Sequence, residues 1–303
     1  MTSQLFLQRF SGLVSSSYYS YLWCYRLYLQ LQGRQSAEKI VVYQMGKVGS
    51  TTIWRSLESL NLGIPVYHVH RLSPEAVKRG LQKAKDNFSS LKTIHPEVVH
   101  AEYLRSQLDQ LPLKKPWKVI TLVRDPVART ISKFFEKNKR KILVSKAEVD
   151  SGNQNYQETL EKLLTAFSEK YIQDANPPHP YLWFERELKA NFGCDLFSET
   201  DIKNKQYHIC NVENAEVLLL KLEHLKDCHQ SALQKFLGID NFTLKSENVS
   251  SKKEYGSLYK DFLNQVKLSS AYLDGIYNSN LIRRFYSDAE IEQFYQRWEK
   301  CLK

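Results

Sequence analysis

The strongest constraint on the fold of this chain is the run KIVVYQMGKVGSTTI at residues 39–53. Its first part is apolar and β-branched, its middle is a turn with Gly46, Lys47 and Gly49, and its end opens an amphipathic helix with hydroxyl side chains. When a strand leads through glycines into the N-terminus of a helix, successive backbone N–H groups and the helix dipole converge on one anion. The run therefore predicts an α/β fold with a phosphate-binding loop. The candidate loop residues are Gly46, Lys47, Val48, Gly49, Ser50, Thr51 and Thr52.

The position of the lysine separates this loop from that of the common nucleoside triphosphatases. A Walker A loop reads G-x-x-x-x-G-K-[ST], with the lysine directly after the last glycine. Here Lys47 lies between the two glycines, which disfavours an ATPase or a GTPase. An ordinary strand–helix turn with an incidental lysine is the alternative, because short glycine motifs are common.

A second strand–helix junction lies at residues 117–135. The apolar run WKVITLV is followed by RDPVARTISKFF, in which Pro126 can occupy the first turn of a helix and Ser132 lies two turns along from Asp125. An arginine at the C-terminal edge of a strand and a helical serine supply a guanidinium and a hydroxyl for a second phosphate. The alternative is that Arg124 forms a structural ion pair with Asp125.

Taken in order, the two junctions resemble the sulfotransferase superfamily, whose members bind 3′-phosphoadenosine 5′-phosphosulfate (PAPS). The resembling motifs are K-x-G-[ST]-[ST] in the loop and R-[DN]-P-x-x-R-x-x-S-x-[FY] at the second junction. The resemblance implies a P-loop-like, three-layer α/β/α fold with a central parallel sheet. It also implies that the loop binds the 5′-phosphosulfate, with Lys47 stabilising charge during transfer, and that Arg124 and Ser132 bind the 3′-phosphate. The product is then 3′-phosphoadenosine 5′-phosphate (PAP), and no metal is expected because the protein's own cations balance the charge.

Two histidines end the strand predicted within residues 64–72, IPVYHVHRL. His68 and His70 share one face because strand side chains alternate, and histidine suits a general base near neutral pH. A zinc pair or polar tips at a sheet edge are the ordinary alternatives, and zinc lacks further ligands at the usual spacings. In the sulfotransferases that this chain resembles, a histidine after this strand deprotonates the acceptor hydroxyl. An H-x-H pair also occurs in those that act on the 2-hydroxyl of uronic acids. His70 is the favoured base with His68 in support, a choice that the pattern leaves close to even.

The C-terminal half fits the same resemblance. A buried strand over 216–225 and a helix ended by Gly238 are similar to the late strand and helix of many sulfotransferases. Lys252 and Lys253 lie in a basic loop and are candidate contacts to the 3′-phosphate, although exposed lysines are usually solvated surface. The sequence FYSDAEI at 285–291 predicts a capped final helix. It resembles the ending of bacterial proteins of capsular polysaccharide synthesis, a subgroup of the sulfotransferases.

Stretches without recognisable motifs separate the predicted strands, and such insertions build the acceptor sites of sulfotransferases. Residues 73–112 are predicted to be helical, and residues 137–157 to form a mobile or helical insertion. An aromatic helix then follows a proline-rich break. His179, Trp183 and Glu185 are therefore candidate acceptor contacts, although an aromatic helix face more often packs in a core.

Composition narrows the range of partners. With 303 residues, 42% of them hydrophobic, the chain can bury one substantial core. The net charge of +10 favours an acidic partner, such as a nucleotide or an acidic polysaccharide. No nucleic-acid-binding motif occurs and the lysines are dispersed, so nucleic acid is not expected. Five widely spaced cysteines argue against a dense disulfide framework and fit a reducing compartment.

Residues 1–38 form an aromatic, amphipathic segment before the sulfotransferase-like domain predicted at 39–303. Arg26 interrupts the segment, which lacks the run of about 18 apolar residues typical of a spanning helix and lacks a compact signal-peptide core. The expectation is a cytoplasmic, bacterial enzyme. The segment either packs on the domain as a helix or lies on a membrane surface, which would make the protein peripheral at the inner membrane.

These inferences predict one function, the transfer of a sulfuryl group from PAPS to a hydroxyl of a polysaccharide or glycolipid, with histidine as base. Two other classes stay open. A P-loop kinase would bind Mg²⁺-ATP, although no Walker B aspartate stands out after an apolar strand. A non-catalytic nucleotide- or glycan-binding protein on the same fold is disfavoured, because the lysine, histidine, arginine and serine named above all occur together.

Overall fold

The computed structural model describes residues 17–35, 38–91, 94–110, 113, 115–150, 156–172, 179–245 and 255–302. In chain order, the helices and strands are α1 (Tyr18–Gln35), β1 (Ile40–Tyr43), α2 (Ser50–Glu58), β2 (Val66–Val69), α3 (Pro74–Leu91), α4 (Pro96–Leu108), β3 (Trp117–Val123), α5 (Pro126–Asp150), α6 (Tyr156–Phe167), α7 (Ala190–Phe192), β4 (Tyr207–Val212), β5 (Ala215–Lys221), α8 (Leu225–Leu237), α9 (Gly256–Gln265), α10 (Ser270–Tyr277), α11 (Asn280–Arg283) and α12 (Asp288–Glu299). Short π-helical turns (Ser168–Ile172 and Phe184–Lys189) and 3₁₀ turns (Ile202–Asn204 and Leu222–His224) lie between them.

The strands form one five-stranded sheet in the order β2-β1-β3-β5-β4. The first four are parallel, and β4 pairs antiparallel with β5 at the edge. The predicted α/β class and central parallel sheet are thus confirmed for four strands, with helices around them. The sequence does not predict β4, because YHICNV mixes polar and apolar residues on a strand that is only partly buried.

Parallel pairing brings three strand ends together. Val42 of β1 lies beside His68 of β2 and Ile120 of β3. The glycine loop after β1, His70 after β2 and Arg124 after β3 therefore emerge at the same edge of the sheet. Open α/β sheets bind their ligands at this carboxyl edge.

Helix boundaries lie where capping residues predict them. α5 begins at Pro126, and α8 ends at Leu237 just before Gly238, whose φ of +67° suits glycine. α12 begins with a capping box in which Ser287 and Glu290 exchange hydrogen bonds. The helical stretch predicted over 73–112 is two helices, α3 and α4, and the insertion predicted after it is helical as far as the end of α5.

α1 packs on the domain through one face. The Tyr25 hydroxyl lies 3.1 Å from Nε2 of His100 in α4, and the Tyr18 hydroxyl donates to the Leu81 carbonyl in α3. The buried side chains of α1 are Tyr21, Leu22, Tyr25, Tyr28 and Leu29. The predicted packed helix is therefore present over Tyr18–Gln35. Among the described residues, none of the helices is both long and apolar enough to cross a membrane.

Candidate active site

The loop between β1 and α2 turns through two residues with positive φ, Lys47 at +74° and Gly49 at +86°. A Cβ at Gly49 would lie 2.6 Å from Cδ1 of Leu222, so both the conformation and the space favour glycine here. Among the described residues, no side chain caps the N-terminus of α2. The Thr52 backbone N–H donates to the Gly49 carbonyl at 3.1 Å, and the dipole of α2 makes this helix end favourable for an anion.

Two arginines hold the loop, one directly after the neighbouring strand β3 and the other in α5. Nη1 of Arg124 donates to the Lys47 carbonyl at 3.0 Å, and Nε of Arg129 donates to the Gly46 carbonyl at 2.9 Å. The Tyr181 hydroxyl donates to the Arg124 carbonyl at 2.8 Å. Burial and the charge of Arg124 lower the pKa of Arg129 to about 10. The Arg129 guanidinium therefore remains charged near neutral pH, and it lies against the loop backbone.

The Lys47 side chain lies among further charges of α5. Its Nζ is 2.8 Å from Oε1 of Glu136. Burial, Arg129, Lys137 and Arg71 lower the pKa of Lys133 to about 8. Cations thus outnumber carboxylates beside the loop, which favours the binding of an anion.

His68 is the buried member of the histidine pair, with 7% of its surface exposed. Its ring stacks on Trp54 at 5.3 Å, and its Nε2 lies 3.0 Å from Oγ of Ser50 and 3.2 Å from Nε2 of Gln44. Burial, together with the nearby His70 and His100, holds the pKa of His68 well below its ordinary value. His68 is therefore a neutral group that ties β2 to the start of α2.

His70 is more accessible, with 30% of its side chain exposed. Its Nδ1 lies 3.0 Å from the backbone carbonyl oxygen of Gln44. Since a carbonyl only accepts hydrogen bonds, this contact favours the tautomer with the proton on Nδ1 and the lone pair on Nε2. The side-chain Nε2 of Gln44 also lies 3.2 Å from Nδ1. Nε2 lies 3.8 Å from Oε2 of Glu97 and would be 3.7 Å from a Cβ at Gly46. The basic nitrogen therefore adjoins the glycine loop, an arrangement that can take a proton from a hydroxyl held there.

Glu187 fixes the strand ends that carry this site. Its carboxylate, 5% exposed, accepts hydrogen bonds from the Tyr43 hydroxyl at 2.7 Å and from the Leu72 backbone N–H at 2.8 Å. In the same segment, Nε1 of Trp183 donates to the His70 carbonyl at 2.8 Å. This segment thus orients the backbone of His70 and the chain that directly follows it.

The three candidate acceptor contacts lie in different surroundings. Trp183 touches the backbone of His70, as described, and Glu185 is exposed. His179 is bound elsewhere: its Nδ1 accepts from the Tyr181 backbone N–H at 3.2 Å and its Nε2 lies 3.3 Å from Oγ of Ser279. Burial and the charge of Arg129 lower the pKa of His179 to about 4. His179 is therefore neutral near pH 7 and close to Arg129, whereas Trp183 supports His70.

Of the remaining predicted contacts to the 3′-phosphate, Ser132 lies within the described residues and the two lysines do not. Ser132 lies in α5 almost one turn beyond Arg129, and 7% of its surface is exposed. Lys252 and Lys253 lie outside the described residues.

Asp125 is a structural residue. It is fully buried, and its carboxylate accepts hydrogen bonds from the Val127 backbone N–H at 3.0 Å, the Tyr277 hydroxyl at 2.7 Å and Nε1 of Trp298 at 2.9 Å. These donors fix the start of α5 against α10 and α12. Arg124 instead donates to the Lys47 carbonyl. These two described residues therefore do not form the Arg124–Asp125 ion pair that the sequence left as an alternative.

The C-terminal FYSDAEI sequence completes the same framework. The Tyr286 hydroxyl donates to Glu223 at 2.7 Å, and Glu223 also accepts from the Asp125 backbone N–H at 2.8 Å. Burial raises the pKa of Glu223. Glu290 pairs with the buried Lys221 at 2.9 Å. The motif therefore holds the ends of β3 and β5, which places it behind the site.

Sequence reasoning missed Gln44 and Arg129 as site residues. Gln44 had a usable signal, since a polar residue directly after a buried strand and before a glycine loop lies at the ligand edge of the sheet. The sequence signal for Arg129 was its place in the second motif. The residues around it do not indicate that its side chain contacts Gly46. No group of three or more His, Cys, Asp or Glu side chains suited to a metal ion occurs in the described ranges, and a metal-free reaction stays a prediction.

Comparison with known proteins gives one match. Residues 155–287 match the model of the NKWYS family, described as "Putative capsular polysaccharide synthesis protein". No curated protein and no solved structure matches this chain. The matched residues include Trp183, Glu187 and the Glu223–Tyr286 contact, but not the glycine loop, His70 or Arg124. The match is consistent with a glycan-related function and bears on the second half of the domain.

Proposed function

We propose that this chain is a PAPS-dependent O-sulfotransferase with the P-loop-like fold of that superfamily, acting on a hydroxyl of an acidic glycan. The observation that carries the proposal is the position of His70, whose basic Nε2 adjoins Gly46 in a loop held by two arginines. A base beside an anion-binding loop is what transfer of an anionic group to a hydroxyl requires. The capsular polysaccharide family match supports a glycan as the acceptor.

The described residues fit a donor with two separate anionic groups. The helix end without a capping side chain and Lys47 suit the phosphosulfate, while Arg124 and Ser132 suit the 3′-phosphate. The buried Gln44 Oε1 has no hydrogen-bond partner among the described residues. A buried oxygen without a partner is unfavourable in free energy and uncommon in folded proteins. Turning over the side-chain amide of Gln44 would place Oε1 where Nε2 now lies, 3.2 Å from Nδ1 of His70, and would satisfy it within the protein.

In the proposed reaction, each of these residues has a separate role. When bound, PAPS supplies the sulfuryl group that passes to the acceptor oxygen, and PAP remains. His70 holds the acceptor hydroxyl and receives its proton on Nε2, while the Gln44 carbonyl keeps the other proton on Nδ1. Lys47 and the N–H groups at the start of α2 stabilise negative charge, as preorganised donors do in phosphoryl transfer. Arg71 and Lys133 lie on the same cationic side and suit a carboxylate or sulfate on the glycan.

Calorimetric titration with PAP, and separately with ATP plus Mg²⁺, tests the nucleotide. We expect PAP to bind and Arg124→Ala to weaken it by at least about tenfold, because a charge-assisted contact and the support of the loop are both lost. Arg283→Ala is the matched control, since Arg283 is a surface arginine paired with Asp288. A preference for Mg²⁺-ATP would favour a kinase and overturn the proposal.

Sulfate transfer from labelled PAPS to a panel of neutral and acidic polysaccharides tests the reaction. Transfer to an acidic member, lost with His70→Ala, is the expected result. Tight PAP binding without transfer to any hydroxyl would instead identify a nucleotide-binding protein without this activity.

A further inference from the structure

α1 exposes a line of apolar side chains on the face opposite to its packing. Among the described residues, seven large apolar side chains are exposed, and four of them lie on this helix. They are Tyr19 at 63%, Trp23 at 63%, Leu27 at 40% and Leu31 at 49%. Each is four residues from the next, so they form one stripe about 18 Å long. We call Tyr19, Trp23, Leu27 and Leu31 the α1 stripe.

The α1 stripe does not belong to the side of α1 that packs in the hydrophobic core. Positions 21, 22, 25, 28 and 29 already bury the other side of the helix against the domain. When a helix carries apolar side chains on both sides and only one side packs on the domain, the exposed side marks a surface for a protein partner or a membrane. Its composition, two aromatic residues followed by two leucines, is typical of a helix that lies in the interface of a bilayer.

Charge around the α1 stripe selects an anionic occupant. α1 itself contains no Asp or Glu and carries Arg26 and Arg34. On the neighbouring α3, Nζ of Lys85 lies 5.2 Å above the ring of Tyr19, the first member of the stripe. Arg26 is engaged by Glu102 at 2.8 Å, so Lys85 is the cation that directly adjoins the stripe among these described residues.

A second copy of the chain is a poorer occupant. Symmetrical pairing of two α1 helices would bring the Lys85 side chains beside Tyr19 towards each other, and α1 has no Asp or Glu to balance them. Four partly exposed side chains also supply on the order of half of the area, about 800 Å² per partner, that a stable protein interface buries. Lipid phosphates supply the missing negative charge, and shallow insertion needs no larger area.

We propose that the α1 stripe docks the protein on the surface of an anionic phospholipid bilayer. Trp23, Leu27 and Leu31 enter the interfacial layer, and Lys85 contacts the headgroups beside Tyr19. The helix lies along the membrane, with the domain on its other face. This proposal is independent of the proposed sulfotransferase activity.

The experiment is flotation of the full-length protein with vesicles of phosphatidylcholine alone and of phosphatidylcholine mixed equally with phosphatidylglycerol. We expect binding to the anionic vesicles, weakened by salt. Trp23→Ser combined with Leu27→Ser should weaken it at least about tenfold, because the inserted apolar area is lost. Leu302→Ser, an exposed leucine outside α1, is the matched control and should bind normally.

Two further measurements separate the outcomes. Of the other four tryptophans, three (Trp54, Trp117 and Trp298) are buried, and Trp183 is partly buried against His70 and Tyr43, away from α1. A blue shift of tryptophan emission on vesicle addition should therefore disappear in Trp23→Phe. PAP titration of the Trp23/Leu27 double variant should match the wild-type protein, because α1 is not part of the site. Vesicle binding retained by the double variant would overturn the proposal. So would concentration-dependent dimerisation that the double variant abolishes, or the absence of any vesicle binding.

Discussion

The backbone carbonyl oxygen of Gln44 lies 3.0 Å from Nδ1 of His70. The two residues follow neighbouring parallel strands, in which Tyr43 is paired with Val69. The strand register therefore sets the orientation of the imidazole, and its proton is held by a peptide carbonyl. Because a carbonyl can only accept a hydrogen bond, it favours the neutral tautomer in which Nε2 is the basic nitrogen.

His70→Ala should lower turnover by about a hundredfold to ten-thousandfold, because a general base contributes about that factor. PAP affinity and thermal stability should change little, since His70 is partly exposed. His68→Ala should instead lower the free energy of unfolding by about 2 kcal/mol, because it removes a buried ring stacked on Trp54. Sulfate-transfer kinetics and urea unfolding of both variants are the measurements. If His68→Ala abolished turnover in a stable protein while His70→Ala remained active, the roles of the two histidines would be reversed.

Gly46→Ala should inactivate the protein without unfolding it. Its Cβ would lie 3.7 Å from Nε2 of His70, which is ordinary contact, so the methyl group fits and at the same time covers the basic nitrogen. Gly49→Ala should cost about 1 to 2 kcal/mol of stability, because Gly49 has a φ of +86° and its Cβ would meet Leu222.

Gly275→Ala is the control for the glycine series, because nothing lies within 4 Å of the added Cβ and α10 continues through it. Calorimetric melting and sulfate transfer should separate the three variants. A fully active Gly46→Ala protein would show that the acceptor does not approach His70 from the loop side.

The parts of this fold that could be predicted are those encoded locally. The apolar run of β3 and Pro126 after it define a strand and a helix start to the residue, and Ser287 with Glu290 defines the start of α12. β4 was not predictable in this way, because an edge strand need not be apolar. The contact from Arg129 to Gly46 joins distant parts of the chain, so it depends on the packing of α5 against the loop. The accessibility that distinguishes His70 from His68 likewise arises from tertiary burial and leaves no mark in the sequence.

Glu136→Gln should increase the affinity for PAP by a factor of about two to five, the range of an exposed ion pair. The carboxylate of Glu136 lies 2.8 Å from Nζ of Lys47 and competes with an anionic ligand for that charge. The free energy of unfolding should hardly change, because the Glu136 side chain is 58% exposed. Calorimetric titration is the measurement, with Glu292→Gln on α12 as the control. Weaker binding in Glu136→Gln would mean that the carboxylate positions Lys47 for the ligand.

Acid should destabilise the protein through its buried histidines. Burial lowers the pKa of His100 from 6.5 to about 4. Because the unfolded chain binds the proton more tightly, stability falls as the pH drops below about 6.5 and continues to fall down to about pH 4. His100 alone should account for a loss of about 2 kcal/mol between about pH 7 and about pH 5.

His100→Asn tests this assignment, since its amide oxygen can still accept from the His68 backbone N–H, as Nδ1 of His100 does. The variant should be less stable near pH 7 but should lose less of its stability on acidification, as measured by urea unfolding at both pH values. His229→Asn on α8 is the control and should keep the wild-type pH dependence. An unchanged acid sensitivity in His100→Asn would locate the proton uptake elsewhere.

Cys194 and Cys210 should form a disulfide when the protein is exposed to a mild thiol oxidant such as diamide. Their Sγ atoms lie 3.0 Å apart in a buried position that links the loop after α7 to β4. The two thiols give up their hydrogens to the oxidant and one S–S bond forms. Closure of this short loop should stabilise the protein by about 3 kcal/mol.

Cys24, Cys228 and Cys301 should remain reduced, because the described structure pairs none of them with another sulfur. Peptide mapping by mass spectrometry before and after oxidation, with Cys210→Ser as the control, is the measurement. A bond to any other cysteine, or no bond in the wild-type protein, would contradict the geometry of this pair.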